Sequence, residues 1–234
     1  MITVLSDFDT VDKIVAERLS VSRFGDGEYK IVEGGGTKTQ KGHPALTARL
    51  REILKNDFDR RVLVCILDLY SNKPVAGEWA SREAVTARFG SPLFARQFLR
   101  SDKVYGCASI TRLCNWALGD VHEYWSKVRQ IWDDRPVLLV VGSKKGRSAE
   151  RRLLDNALSI EVLDLHQKSD CWEHYPTILT HCQEWARKRA MDEPLVLAAL
   201  GATATVLAYD LGVGGVQSID MGHMAQAYHH TVLP

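Results

Sequence analysis

Residues 136–165, PVLLVVGSKKGRSAERRLLDNALSIEVLDL, carry the pattern that decides the fold of this 234-residue chain. The run VLLVV is continuously apolar, which is typical of a strand covered on both faces. A loop rich in glycine and lysine follows, then a helical pattern of leucines and alanine, then the strand-like segment SIEVLDL. This order predicts a strand, a loop, a helix and a second strand.

The same alternation runs along the rest of the chain. Apolar residues at positions 11, 14, 15 and 19 predict a first helix, and those at 46, 50, 53 and 54 predict a second. Further strands are predicted in RVLVCILDLY, KVYGCAS, PLVLAAL and VQSIDMGH, and further helices in PTILTHCQEWARKRA, GATATVLAYDLGVGG and the tail. The sequence therefore predicts an α/β fold, with helices on both faces of a mostly parallel sheet, in one domain spanning residues 1–234.

Composition limits the classes of function. The chain has 30 basic and 29 acidic side chains, a balance that argues against a nucleic-acid-binding protein or a polybasic membrane anchor. Its five cysteines lack the paired spacing of a zinc site, and no apolar run approaches the ~18 residues of a membrane span. We expect a cytoplasmic protein, either free or held at a membrane by a partner, and homo-oligomer formation stays open.

Ligands of such folds bind at the carboxyl ends of strands, so the loops after strands are the candidate sites. The first is SVSRFGDGE, residues 20–28. If FGDGEYK is extended, Asp26 and Glu28 project from one face and could hold Mg²⁺ or Mn²⁺ against a diphosphate. Gly25 and Gly27 would give the diphosphate clearance, and Arg23 could contact its oxygens. A surface turn with an Arg23–Glu28 ion pair is the alternative.

Two further loops each precede a predicted helix, whose N-terminus favours anions. GSKKGRS offers Ser143, Lys144 and Arg147 to a phosphate, although a solvated basic turn would have the same composition. GATAT offers Thr203 or Thr205, either of which could instead cap its helix.

Two short motifs complete the set of candidate loops. Thr111 and Arg112 in ITR follow the strand KVYGCAS and could reach the same cleft, or Arg112 could form a structural ion pair. In DMGH, Asp220 and His223 end the last strand. A histidine there could bind a metal, act as a general base, donate to a phosphate, or serve a structural role.

These segments, in this order, resemble the GT-D glycosyltransferase family of bacterial glycan and adhesin glycosylation clusters. SVSRFGDGE and GATATVLAYDLGVGGVQSIDMGH carry most of the likeness. The resemblance implies a Rossmann-like fold that binds a nucleotide sugar such as UDP-glucose, with a D-x-E motif holding a divalent metal. The motif matches Asp26 to Glu28, Arg23 and Gly25 would lie beside the donor, and Asp220 and His223 would face it.

The leading hypothesis is a metal-dependent hexosyltransferase of polysaccharide biosynthesis, acting on a glycan, glycoprotein or lipid-linked acceptor. The metal ligands would be Asp26, Glu28 and His223. Two alternatives remain: an S-adenosylmethionine-dependent methyltransferase, with Asp68 on the ribose, and a non-catalytic sugar-nucleotide-binding or protein-interaction module. No catalytic base is assigned.

Overall fold

The computed structural model describes residues 2–55, 60–67, 92–112, 120–142, 147–167 and 169–232. Eight strands form one sheet in the order β1-β4-β3-β2-β8-β7-β5-β6, and every pairing between described strands is parallel. The strands are β1 Thr3–Val4, β2 Ser20–Arg23, β3 Val62–Ile66, β4 Val104–Cys107, β5 Pro136–Val141, β6 Ser159–Asp164, β7 Leu195–Ala199 and β8 Ser218–Asp220. The predicted α/β class with a mostly parallel sheet is confirmed.

Nine α-helices are seen among the described residues, with short 3₁₀ turns such as Ala108–Thr111 between elements. The helices are α1 Asp7–Glu17, α2 Asp26–Val32, α3 Pro44–Lys55, α4 Pro92–Arg96, α5 Val121–Arg129, α6 Arg147–Leu153, α7 Tyr175–Arg187, α8 Ala202–Val213 and α9 Met224–Val232. None of them is long and apolar enough to cross a membrane.

The helices cover both faces of the sheet, as predicted. One apolar cluster buries residues of α2, α3, α7 and α8 against the sheet, among them Ile31, Leu50 and Leu207. The opposite cluster buries residues of α1, α5, α6 and α9, including Ile14 and Met224. Strands β3, β5 and β7 are covered on both sides, which explains their nearly continuous apolar runs.

The extended conformation considered for the first candidate loop does not form. FGDGEYK is not extended, because β2 ends at Arg23 and helix α2 begins at Asp26. Gly25 has extended backbone angles and forms the N-cap, and Asp26 and Glu28 occupy the first turn, where carboxylates interact favourably with the helix dipole. Tyr29, Ile31 and Val32 are buried, so tertiary packing favours the helix.

Candidate functional site

The two central strands, β2 and β8, are followed by helices on opposite faces of the sheet. Val21 of β2 pairs with Ile219 of β8. Helix α2 after β2 packs in one apolar cluster, whereas helix α9 after β8 packs in the other. Open α/β sheets bind ligands at such a reversal, outside the carboxyl ends of the two strands, and we call this region of the structure the crevice.

Arg23, the last residue of β2, lies buried at the bottom of this crevice with 6% of its surface exposed. Its guanidinium fits between two glycines. A Cβ atom on Gly25 would lie 2.8 Å from Arg23 Nη1, and one on Gly222 would lie 2.7 Å from Arg23 Nη2. In this structure the space above Gly25 therefore accommodates the Arg23 side chain. The predicted clearance for a diphosphate at this glycine stays a prediction.

Two polar atoms in the crevice are buried without a hydrogen-bond partner. They are Arg23 Nε, a donor, and Thr111 Oγ1, a donor and acceptor. Both side chains flank Gly222, since its Cβ position would be 2.8 Å from Thr111 Oγ1 and 2.9 Å from Arg23 Cζ. Buried polar groups nearly always have partners, so an orphaned pair of this kind indicates a place for ligand or water oxygens.

Asp26 and Glu28 do not share a face, because they belong to a helical turn and not to a strand. Glu28 is buried, and its Oε2 accepts a hydrogen bond from the Gly25 backbone N–H at 2.8 Å. This is the reciprocal half of a capping box. The Asp26 carboxylate is partly exposed, and its Oδ1 lies 3.3 Å from Arg112 Nη2. The Arg23–Glu28 surface ion pair considered from the sequence does not form.

Arg112 connects Asp26 to the opposite side of the crevice. Its Nη2 atom lies 3.5 Å from His223 Nδ1. His223 is exposed as a whole, but partial desolvation of its ring, followed by the charges of Arg112 and Arg23, lowers its pKa to about 4. The imidazole is therefore neutral at physiological pH, with a nitrogen lone pair available to a metal or to a proton donor.

Asp220, the last residue of β8, is buried and its carboxyl group faces protein partners. Oδ1 accepts from the Gly222 N–H, and Oδ2 lies 3.0 Å from Thr205 Oγ1, which is also 3.0 Å from the Arg23 carbonyl oxygen. Burial raises the pKa of Asp220 to about 7, with Arg23 opposing and Glu28 adding to that shift. Both carboxyl oxygens of Asp220 therefore have protein partners, and its predicted contact with the donor stays a prediction.

Metal binding would require substrate oxygens as well as protein ligands. Within the described parts of the chain, no group of three or more His, Cys, Asp or Glu residues is arranged to hold a metal ion. Mg²⁺ and Mn²⁺ sites commonly combine one or two carboxylates with substrate phosphates and water. The partly exposed Asp26 carboxylate fits that kind of incomplete site, with Glu28 two residues further on in the same helical turn.

Most of the predicted site residues lie around one crevice. Thr203 and Gly27 do not face it, since Thr203 Oγ1 donates to Gln40 Oε1 at 3.3 Å and a Cβ on Gly27 would meet Thr37 at 3.3 Å. Ser143 and Lys144 lie outside the described residues, as does the side chain of Arg147. The residues brought together are Arg23, Gly25, Asp26, Glu28, Thr111, Arg112, Asp220 and His223.

The sequence interpretation missed the role of Gly222, which lies inside the DMGH motif. Its φ angle of +49° is in the left-handed region that glycine tolerates best, and its missing side chain leaves room for Arg23. The glycine itself was visible in the sequence. Its proximity to Arg23, 199 positions away, was not.

Comparison with known proteins shows the family of this chain. The family described as "Glycosyltransferase GT-D fold" matches residues 21–231. The chain belongs to the GT-D glycosyltransferase family. The match includes the motifs at both ends of the chain, so the resemblance noted in the sequence is confirmed.

Solved GT-D structures share the fold over nearly the whole chain. A structure described as "A New Glycosyltransferase (DUF1792) from Streptococcus sanguinis" is 30% identical, has a TM-score of 0.79, and is matched over 98% of this chain and 84% of its own. Another, described as "The highly conserved domain of unknown function 1792 has a distinct glycosyltransferase fold", is 29% identical with a TM-score of 0.80, over 97% and 80% of the respective chains.

The curated relatives are longer proteins. "Probable glycosyl transferase Gly" of Streptococcus gordonii is 27% identical over 243 residues, covering 97% of this chain and 33% of the relative. "Glycosyltransferase GlyD" of Streptococcus pneumoniae serotype 4 is 27% identical over 222 residues, covering 94% and 26%. This GT-D chain thus spans about a third and about a quarter of their lengths.

Proposed function

We propose that this GT-D chain transfers a hexose from a nucleoside-diphosphate sugar, UDP-glucose or a close analogue, to a bacterial glycan, glycoprotein or lipid-linked acceptor. The observation that carries the proposal is the buried, unpartnered pair of Arg23 Nε and Thr111 Oγ1 at the switch point of the sheet. A diphosphate placed there would supply the missing acceptor oxygens. Family membership supports the reaction class.

Arg23 and Arg112 have the role of binding the diphosphate. A guanidinium offers several donors in a fixed plane and matches phosphate oxygens well. Arg23 is held in place by its burial between Gly25 and Gly222, so it needs little reorganisation when charge develops on the departing diphosphate. Arg112 lies against Asp26 and can exchange part of this contact for the donor.

Asp26, with Glu28 and His223, would hold a divalent cation in the presence of the donor. The Asp26 carboxylate is partly exposed, and Arg112 contacts both this carboxylate and the neutral ring of His223. When bound, Mn²⁺ or Mg²⁺ would neutralise negative charge on the departing nucleoside diphosphate. Glu28 would leave or share its contact with Gly25 to join this site.

Calorimetric titration with UDP, in Mn²⁺ and then in EDTA, tests the proposal. We expect metal-dependent UDP binding that weakens about tenfold or more, or about 1.4 kcal/mol, in Asp26→Asn and in Arg23→Lys. Asp12→Asn is the matched control, because Asp12 forms an exposed ion pair with Lys127 on another part of the molecule.

Two outcomes would contradict the proposal. One is UDP binding that is unaffected by EDTA and by both crevice variants. The other is metal-independent binding of S-adenosylmethionine without any binding of UDP, which would favour the methyltransferase alternative. Asp68, on which that alternative depends, lies outside the described residues. Hydrolysis of UDP-glucose in Mn²⁺ would separate an enzyme from a binding module.

A further inference from the structure

The buried hydroxyl of Thr205 lies within hydrogen-bond distance of two acceptor oxygens but has only one proton to donate. Thr205 Oγ1 lies 3.0 Å from the Arg23 carbonyl oxygen and 3.0 Å from Asp220 Oδ2, and neither Thr205 nor Asp220 has significant solvent exposure. A hydroxyl has one proton to donate. If Asp220 were ionised, one of these two oxygen–oxygen contacts would have no proton in it.

If Asp220 carries a proton, both oxygen–oxygen contacts of Thr205 become hydrogen bonds. Oδ2–H would donate to Thr205 Oγ1, and Thr205 Oγ1–H would donate to the Arg23 carbonyl. Asp220 Oδ1 remains the acceptor for the Gly222 N–H at 3.0 Å. Every polar atom of the group then has a partner, as is usual for buried polar groups.

The charges around Asp220 are consistent with this arrangement. Arg23 on β2 favours the ionised carboxylate, whereas Glu28 on α2 opposes it, and burial is the largest effect, raising the pKa of Asp220 to about 7. Cys65 on β3 is a buried thiol whose pKa is also raised by burial, so it contributes no charge. No full counter-charge forms an ion pair with Asp220 among the described residues.

We propose that Asp220 is a positioning residue that acts as a neutral hydrogen-bond donor, fixing the end of β2 through Thr205 and thereby orienting Arg23 in the crevice. Asp220 itself would contact neither metal nor donor. The effect on substrate binding rests on the proposed function, because it acts through Arg23. The protonation state of Asp220 does not depend on that function.

Asp220→Asn gives the sharpest test. An asparagine amide can donate to Thr205 and accept from the Gly222 N–H, so the variant should fold and bind UDP in Mn²⁺ within about twofold of the native protein. Thr205→Val removes the hydroxyl that links Asp220 to the Arg23 carbonyl and should weaken UDP binding at least fivefold. Thr205→Ser keeps the hydroxyl and should retain most of the native affinity for UDP.

The pH dependence of stability provides a second readout. The pKa of Asp220 is raised from 3.8 to about 7 in the folded state, so the native protein binds the proton more tightly than the unfolded chain between these values. Stability should therefore decline as pH rises through this window. Asp220→Asn should remove that component of the slope, and the native protein should show a buried carboxylic-acid C=O infrared band that Asp220→Asn lacks.

Loss of tenfold or more in UDP affinity in a folded Asp220→Asn, with an unchanged pH slope, would overturn the inference and make Asp220 an ionised ligand. Native UDP affinity in Thr205→Val would overturn the positioning role. If the native protein bound no UDP, the proposed function would fail, while the infrared band and the pH slope would still decide whether Asp220 carries the proton.

Discussion

Arg23 is a buried cation whose unpartnered donor favours binding of a ligand oxygen in the crevice. Removing a guanidinium from water is costly unless its donors find acceptors. Arg23 is nearly fully buried, yet its Nε has no partner. Such a group is retained more readily where a ligand supplies the missing oxygen, and this is why Arg23 has the leading role in the proposed binding site.

At the same scale, the charge of Arg112 contributes to the low pKa of His223. Removing the Arg112 charge should raise the pKa of His223 from about 4 toward its ordinary value of 6.5, although desolvation of the ring, the largest cause, would keep it below that value. Titration of Arg112→Ala by NMR, following the His223 ring protons, checks this. Arg129→Ala is the control, since Arg129 pairs with Asp155 and does not contact His223.

A pKa of His223 that stays at about 4 in Arg112→Ala would mean that the 3.5 Å approach of the two groups has no electrostatic effect. The lowered pKa of His223 also affects the pH dependence of stability. Because the folded state depresses the pKa of His223, the native protein loses stability as pH falls from about 6.5 toward 4, and Arg112→Ala should lessen that loss.

At the scale of elements, α2 and the β8–α9 turn are the pieces that form the crevice, and both depend on glycine. Alternation of two carboxylates suggested a strand, but a Gly N-cap followed by acids is equally a helix start. The decision came from burial of Tyr29, Ile31 and Val32 on the sheet. Local pattern alone therefore placed Asp26 and Glu28 directly after β2, but it did not predict that they lie in the first turn of a helix.

Gly222→Ala should damage the site more than its backbone strain alone would explain. The φ angle of +49° makes any side chain costly, about 1 kcal/mol or more, and the new Cβ would lie 2.7 Å from Arg23 Nη2. Gly34→Ala is a matched control, because Gly34 also has a positive φ but has nothing within 4 Å of its Cβ position.

We expect Gly222→Ala to lose stability and to weaken UDP binding about tenfold, while Gly34→Ala shows only the strain cost in thermal or urea unfolding. Equal effects of the two substitutions on nucleotide binding would contradict the idea that Gly222 makes room for Arg23.

At the scale of the whole molecule, one sheet couples the two apolar clusters that cover its faces. Leu50 on α3 belongs to one cluster and Ile14 on α1 to the other, and both are fully buried. Leu50→Ala and Ile14→Ala should each cost about 2–5 kcal/mol of unfolding free energy. Each should lower the midpoint of one shared transition, as seen by circular dichroism and by tryptophan fluorescence.

Met191→Ala is the control for these core variants, because Met191 is 94% exposed and its truncation should change stability by less than about 0.5 kcal/mol. Two separate transitions, with each variant shifting a different one, would show that the faces unfold independently.

By itself, the sequence determined the α/β class, most of the strands and helices, and the loops in which the candidate residues lie. These features follow from hydrophobic periodicity and turn residues, which are local properties of the chain. The family resemblance rested on motifs at both ends, and it too was readable without coordinates.

Only the tertiary structure decided which candidates meet. The strand order places β2 beside β8, so that Arg23 and Gly222 become neighbours, and the turn after β4 brings Thr111 to Gly222. Thr203 and Gly27 instead contact Gln40 and Thr37. Strand order and the face on which each helix packs depend on contacts between distant residues, and no local pattern contains them. That is why the orphaned Arg23 Nε and the contact between Asp220 and Thr205 became visible only in the folded chain.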